Sequence, residues 1–325
     1  MDAQMQEHYD VEGARAYLKT LTDESMSGKL FSRQLAAYAK GAHRQLQQDS
    51  GPELLSIQYG DGEGTRLAAK IANDGGLEEA VLRVQGIICK SHLPPKRKLL
   101  RGEPEGVRYM QQSFTLVGFG DGNFDMAVEG AFHIAEFLSR QDSDMALWSP
   151  TRIGPSIAIE ASNRLFVKQT KQMDHVPVAM DKTVDPHGTL QKMANGHYIH
   201  SEECVVRYFK REQNKEGDIS YSKADSGMFK IGDIVEAQCS FIVIRTRSGQ
   251  HTMKIILRAM TMINSDFSKS ARLALWKSNA LTRQDLTDRN RTKTHPRTVG
   301  YDGDAEAEDE VDYVNKRVKT MQVDS

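Results

Sequence analysis

Ile234-Val235-Glu236-Ala237-Gln238-Cys239-Ser240-Phe241-Ile242-Val243-Ile244-Arg245-Thr246, answered by Thr252-Met253-Lys254-Ile255-Ile256-Leu257-Arg258-Ala259-Met260-Thr261-Met262-Ile263, is the stretch that sets the fold. Both runs are rich in Val, Ile, Phe and Thr, whose branched or flat side chains suit a pleated, half-buried surface. In the first, Val235, Ala237, Cys239, Phe241 and Val243 alternate with Glu236, Gln238, Ser240 and Ile242, a period of two that turns one face inward. The link Arg247-Ser248-Gly249-Gln250 carries the glycine that a hairpin turn favours. Gly232-Asp233 precedes the first strand, as glycine does where a strand curls at the corner of a small barrel. One buried face implies a second layer, so residues 151–280 are expected to form a small antiparallel β-barrel, OB-like or SH3-like.

Working outward, Leu165-Phe166-Val167 and Cys204-Val205-Val206-Arg207-Tyr208-Phe209 read as two more strands. Pro150 and Pro155 bracket a break, and residues 1–150 before it read as a mainly helical domain. Val11 to Gln48 reads as two helices broken at Thr22–Ser27, with a turn at Gly60–Gly64. Helices are then expected from Thr65 to Ile71 and from Leu77 to Cys89, the second ending in a buried Ile87-Ile88-Cys89. Pro94-Pro95 opens an exposed connector. A strand at Phe114–Val117, a glycine turn at Gly118–Gly122 and a helix from Met126 to Arg140 complete this half. At the other end, Ala271–Trp276 reads as a helix with Trp276 docked on the barrel, and order is expected to end near Ala280. Residues 281–325 hold too few large apolar groups to offset the entropy of ordering them, so a disordered tail is expected. The fold class is thus α+β: a helical N-terminal half, a small barrel and a tail.

The 325 residues carry a net charge of -1, but the balance is uneven: Lys269 to Arg297 is basic and Asp302 to Asp312 acidic. Cys89, Cys204 and Cys239 are odd in number and widely spaced, which builds neither a disulfide framework nor a CxxC zinc site and fits a reducing, intracellular compartment. Met1-Asp2-Ala3-Gln4 lacks the basic start of a signal peptide, and no apolar run reaches the ~18 residues of a membrane span. No membrane partner is expected. Pro94-Pro95-Lys96-Arg97-Lys98, and less clearly Lys316-Arg317-Val318-Lys319, have the form of nuclear-import addresses, although such clusters are more often solvated loops.

Phe229-Lys230-Ile231-Gly232-Asp233-Ile234-Val235-Glu236, Lys254 to Thr261 on the return strand, and His200 to Phe209 together resemble a large family of uncharacterised fungal open reading frames, sometimes found near mobile elements. The resemblance covers the C-terminal β module only. It implies no activity and no catalytic residue.

Gly118-Phe119-Gly120-Asp121-Gly122-Asn123 between strand and helix can offer backbone N–H groups to a phosphate, but Asn123 replaces the third fingerprint glycine. Asp121, Asn123 and Asp125 match the start of a calcium loop, while Met126 and Phe132 stand where it needs Gly and Glu. His200, Glu202 and His251, with Arg258 for a dicarboxylate, have the residue types of an iron and 2-oxoglutarate oxygenase. The plainer reading of these is as ordinary hairpin residues, and His133 with Glu136 reads as an ordinary helix face. Basic and aromatic residues interleave at Arg207-Tyr208-Phe209-Lys210-Arg211, where cations and a ring can hold single-stranded nucleic acid. Arg289, Arg291 and Lys293 in the basic tail extend that charge.

The reading that follows is a non-enzymatic binding protein without a cofactor, with nucleic acid as the leading partner held by Arg207, Tyr208, Lys210, Arg211, Arg289, Arg291 and Lys293. A protein-interaction or chromatin-reader module is the alternative, and the oxygenase the second. Oligomeric state stays open. The acidic stretch 302–312 is expected to compete for the basic surface. Truncation after Gly300 should therefore tighten nucleic-acid binding and steepen its salt dependence in an anisotropy titration, whereas unchanged affinity removes the idea.

Overall fold

The computed structural model describes residues 1, 3–28, 30–39, 54–59, 64–70, 76–95, 104–142, 144–169, 176–194, 196–214, 216–246 and 248–289. Its helices are α1 (Ala3–His8), α2 (Val11–Ser27), α3 (Gly122–Ser139), α4 (Thr189–Ala194) and α5 (Asp266–Arg289). Its strands before α3 are β1 (Leu54–Tyr59), β2 (Gly64–Lys70), β3 (Leu77–Glu79), β4 (Leu82–His92) and β5 (Gln111–Val117). After α3 come β6 (Thr151–Ile153), β7 (Ser156–Arg164), β8 (Val167–Lys168) and β9 (Tyr198–Ile199). The last are β10 (Arg207–Gln213), β11 (Ile219–Lys223), β12 (Ile234–Arg245) and β13 (His251–Asn264). Residues 1–275 form one compact unit and 276–325 a second, of which the described part is the end of α5.

The hairpin β12–β13 forms as its alternation requires: Val235, Ala237, Cys239, Phe241 and Val243 are all at most 1 % exposed. The register slips between Gln238 and Cys239, where Gln238 faces Ala259 and Cys239 faces Leu257. Arg258 is the extra residue of this bulge. The slip lets Leu257 and Met260, an odd and an even position, both reach the core.

β12 also pairs with β4 along Ile234–Cys239, β4 with β5, β5 with β7, and β7 meets β13 in parallel at Ser162 and Ile256. These five strands close a barrel. Numbered by chain order within the ring, they run 1-2-3-5-4-1. Two wings extend from it. The far half of β12 (Ile242–Ile244) takes β2, which carries β1 and β3. The far half of β13 (Ala259–Met262) takes β10 in parallel, and β10 carries β11.

Two barrel strands, β4 and β5, precede Pro150, so the expected boundary there falls within the barrel. The helices expected at 65–71 and 77–89 are instead β2, β3 and β4. Leu67-Ala68-Ala69 favour helix locally, but β1 on one side and β3 on the other supply hydrogen-bond partners, and β12 does so for the start of β2 and for Leu82–Ile87, which overrides so slight a preference. Ile87, Ile88 and Cys89 are buried as expected, Ile88 in the barrel core and Ile87 and Cys89 on the outer face, and Cys89 is the residue bulged between the pairs Ile88–Leu116 and Lys90–Thr115.

Three helices do belong to the N-terminal half. Helix α2 starts at Asp10, whose carboxylate accepts from Gly13 N at 2.9 Å, and runs unbroken through Thr22–Ser27. Leu35–Tyr38, expected as helix, is a short 3₁₀ turn packed under α3. A Cβ on Gly130 of α3 would lie 2.1 Å from the Leu35 carbonyl oxygen, so only glycine permits that approach. Met5, Tyr9, Leu18 and Leu21 pack on the outer barrel face against Ile87, Val117, Ala158 and Ile234. The corner at Gly232 has φ +90° and is fixed by Tyr9, whose hydroxyl donates to the Gly232 carbonyl at 2.8 Å. Asp233 beside it is fully buried, accepting from Lys230 N at 2.7 Å and from the Ser268 hydroxyl.

Helix α5 continues to Arg289, past the expected end of order near Ala280, and Trp276 is 66 % exposed. Lys96–Lys98, Arg291, Lys293, the acidic stretch 302–312 and Lys316–Lys319 lie outside the described residues. Phe241 is the test of the core: Phe241→Ala should cost about 3–5 kcal/mol of stability in urea unfolding, with little change in the slope.

Candidate nucleic-acid interface

The wing β10–β11 is a hairpin closed by its own turn. Asn214 Oδ1 accepts from Glu216 N at 3.0 Å and Asp218 N at 2.8 Å, and Gly217 has φ +93°. Directly opposed residues of an antiparallel pair share a face. The register Phe209–Lys223, Arg211–Tyr221, Gln213–Ile219 therefore puts these residues, with Arg207, on one side. Arg207, Tyr221 and Lys223 are exposed there, and Phe209 and Arg211 half-buried. One face thus alternates cations with two rings.

The opposite face explains Tyr208. Its ring is 4 % exposed and packs 5.5 Å from that of Phe229. Its hydroxyl donates to Gln112 Oε1 at 2.7 Å, while Gln112 Nε2 donates to the Cys204 carbonyl at 3.1 Å. Burial pushes the Tyr208 hydroxyl well above its ordinary pKa. Tyr208 therefore anchors the wing to the barrel wall and offers no ring to solvent, contrary to the sequence reading, and Phe209 and Tyr221 take that place. The period of two in β10 separates Tyr208 from Arg207 and Phe209. Tyr221 gave no such signal, because β11 is short and exposed at every position.

Lys210 lies on the Tyr208 side and pairs with Glu212 at 3.0 Å, away from Arg207 and Arg211. Arg207 is 3.4 Å from Glu202, with both side chains about as exposed as surface residues become (68 % and 71 %), a pair worth little in water. Arg289 ends α5, and nothing is described of its side chain.

Beside β10 lies a groove of about 430 Å³, lined by Val178, Asp181, His200, Arg207, Phe209 and Lys223 among others. The chain at 177–184 crosses it. One end is held by Val178 N donating to the His200 carbonyl at 2.7 Å, the other by the Ser226 hydroxyl donating to the Thr183 carbonyl at 3.1 Å.

The oxygenase set does not assemble. His200 Nδ1 is 2.8 Å from the Leu165 carbonyl, whereas His251 Nδ1 is 2.5 Å from Asp142 Oδ2. Arg258 is engaged by Glu79 at 2.6 Å, Glu203 at 3.0 Å and Ser240 at 3.0 Å. Burial works against its charge, but the two carboxylates outweigh it and raise its pKa. Among the described residues no group of three or more His, Cys, Asp or Glu is placed to hold a metal. Asp121 Oδ2 caps α3 by accepting from Phe124 N at 2.8 Å, which accounts for it as the start of a helix. His133 Nδ1 is 3.0 Å from Glu136 on its own helix. All three cysteines are buried, and burial raises each thiol's pKa, that of Cys239 to about 12.

No family model matches the chain, and no curated protein matches it. Among solved structures, the crystal structure of gp2.5, a single-stranded DNA binding protein encoded by bacteriophage T7, aligns with a TM-score of 0.29 at 10% identity, over 57% of this chain and 86% of that one.

Tyr208→Phe leaves Gln112 Oε1 without its buried donor and should cost about 1–3 kcal/mol of stability. Tyr221→Ala, exposed on the other face, should stay within about 0.5 kcal/mol, both read by urea unfolding.

Proposed function

We propose that this chain is a non-enzymatic binding protein for single-stranded nucleic acid, built on an OB-like barrel whose β10–β11 wing carries the contact surface. The closed ring of five strands suits the OB reading, since that fold is a five-stranded Greek-key barrel used to bind oligonucleotides. The observation that carries the function is the single face holding Arg207, Arg211 and Lys223 between Phe209 and Tyr221. Rings can stack on the exposed faces of unpaired bases, while cations release counterions from phosphates. Paired bases in a duplex present no such faces, so a single strand is preferred.

Fluorescence anisotropy with short single- and double-stranded DNA and RNA at two salt concentrations tests this. Single strands should bind more tightly, and each phosphate contact should add about −0.7 to the slope of log K against log salt. Arg211→Ala should reduce that slope, and Tyr221→Ala should cost about 1–3 kcal/mol with the slope kept. No binding at low salt overturns the proposal.

A further inference from the structure

We infer that the groove beside β10 receives one nucleotide, its base seated against Phe209 and donating an N–H to His200 Nε2, its phosphate held at the mouth by Arg207 and Lys223. The groove lies on the wing to which strand binding is assigned above, so in its strand form the inference rests on that reading.

The argument begins with the histidine. A carbonyl oxygen only accepts, so the contact with Leu165 requires His200 Nδ1 to carry a proton, and the neutral ring then leaves Nε2 as a bare acceptor. Burial lowers the His200 pKa, against the opposing pull of the Leu165 carbonyl and Glu202, which keeps that neutral form at neutral pH. His200 is 8 % exposed and lines the groove, and no protein donor meets Nε2 among the described residues. Nε2 is not among the buried atoms left without a partner, so it opens on the groove, where a ligand or water can donate to it.

The volume of about 430 Å³ lies within the range of about 300–1,000 Å³ typical of small-ligand pockets. Val178 and Phe209 give it apolar walls suited to a flat heterocycle. Two cations stand in loose pairs at its mouth, Arg207 with Glu202 at 3.4 Å and Lys223 with Asp181 at 3.5 Å. Lys223 is 78 % exposed and Arg207 68 %, so a phosphate can displace either carboxylate at little cost. An apolar slot, one acceptor for an N–H and cations at the rim together match a nucleotide, either within a strand or as a free monophosphate.

The test uses the full chain with two labelled oligonucleotides, one bearing bases and one abasic along the same backbone. The wild type should prefer the strand with bases by about tenfold or more. Val178→Trp fills the groove, and His200→Asn keeps a donor for Leu165 through Nδ2 while withdrawing the acceptor from the Nε2 position, which the shorter amide does not reach. Each should lose much of that preference with the salt slope unchanged, whereas folded variants that both keep it overturn the inference. Should both variants fail to fold by circular dichroism, the ring-nitrogen NMR signal of wild-type His200 decides: a shift of Nε2 on adding the strand supports the site, and none at saturation overturns it. If no strand binds at all, the strand-binding function falls, and the same NMR signal is followed with free nucleoside monophosphates. A shift then supports the groove as a mononucleotide site, and its absence overturns the groove too.

Discussion

β12 is hydrogen-bonded on both edges, and the rest of the molecule depends on how its length is shared. One edge takes β13 throughout, while the other takes β4 along its first half and β2 along its second. A backbone donor or acceptor buried without a partner is costly, so a strand of this length must find neighbours on both sides. β4 leads round the ring and closes the barrel, and β2 leaves it as a wing. β13 repeats the device with β7 and then β10.

The bulge at Arg258 is where the two halves of β13 separate. Released from alternation, Arg258 reaches Glu79 on β3 and Glu203 before β10, and Arg66 on β2 reaches the same two carboxylates at 3.3 Å and 3.0 Å. Burial would raise the pKa of Glu203, but Arg66 and Arg258 outweigh it and hold its carboxyl below the usual range. Such a network gives little net stability against an apolar replacement, yet breaking it strands a charge. It joins the β2–β3 wing to the segment from which β10 starts. Asn163 reinforces the same point, donating to the carbonyls of Glu203 at 2.9 Å and Leu257 at 3.1 Å.

The candidate interface follows from this layout. Because β10 continues the sheet beyond the barrel, one of its faces packs on the barrel wall through Tyr208 while the other stays in solvent. β11 doubles the solvent face and adds Tyr221 and Lys223 to it. The segment at 177–184 then turns the flank of β10 into a groove. Charge and rings are thus displayed on a two-stranded platform anchored to the core through Tyr208.

The sequence by itself determined the β12–β13 hairpin, its inward face, the glycine corner at Gly232, and the strand at Phe114–Val117, the glycine turn after it and the helix from Met126. Each is a local pattern of period or punctuation, readable without knowing the neighbours. It also located the basic, aromatic strand at 207–211. Only the tertiary structure decided that Thr65–Ala69 and Leu82–Cys89 are strands: Leu82–Ile87 and the start of β2 find their partners on β12, more than a hundred residues away, and β1 and β3 then flank the rest of β2. Pairing likewise decided that the barrel reaches back across Pro150, that Arg258 is bulged into an ion-pair network, and that Tyr208 turns in while Phe209 and Tyr221 turn out. In β10, where both faces carry an aromatic ring, alternation says that neighbours point oppositely, but which side is the core is settled only when the sheet meets its second layer.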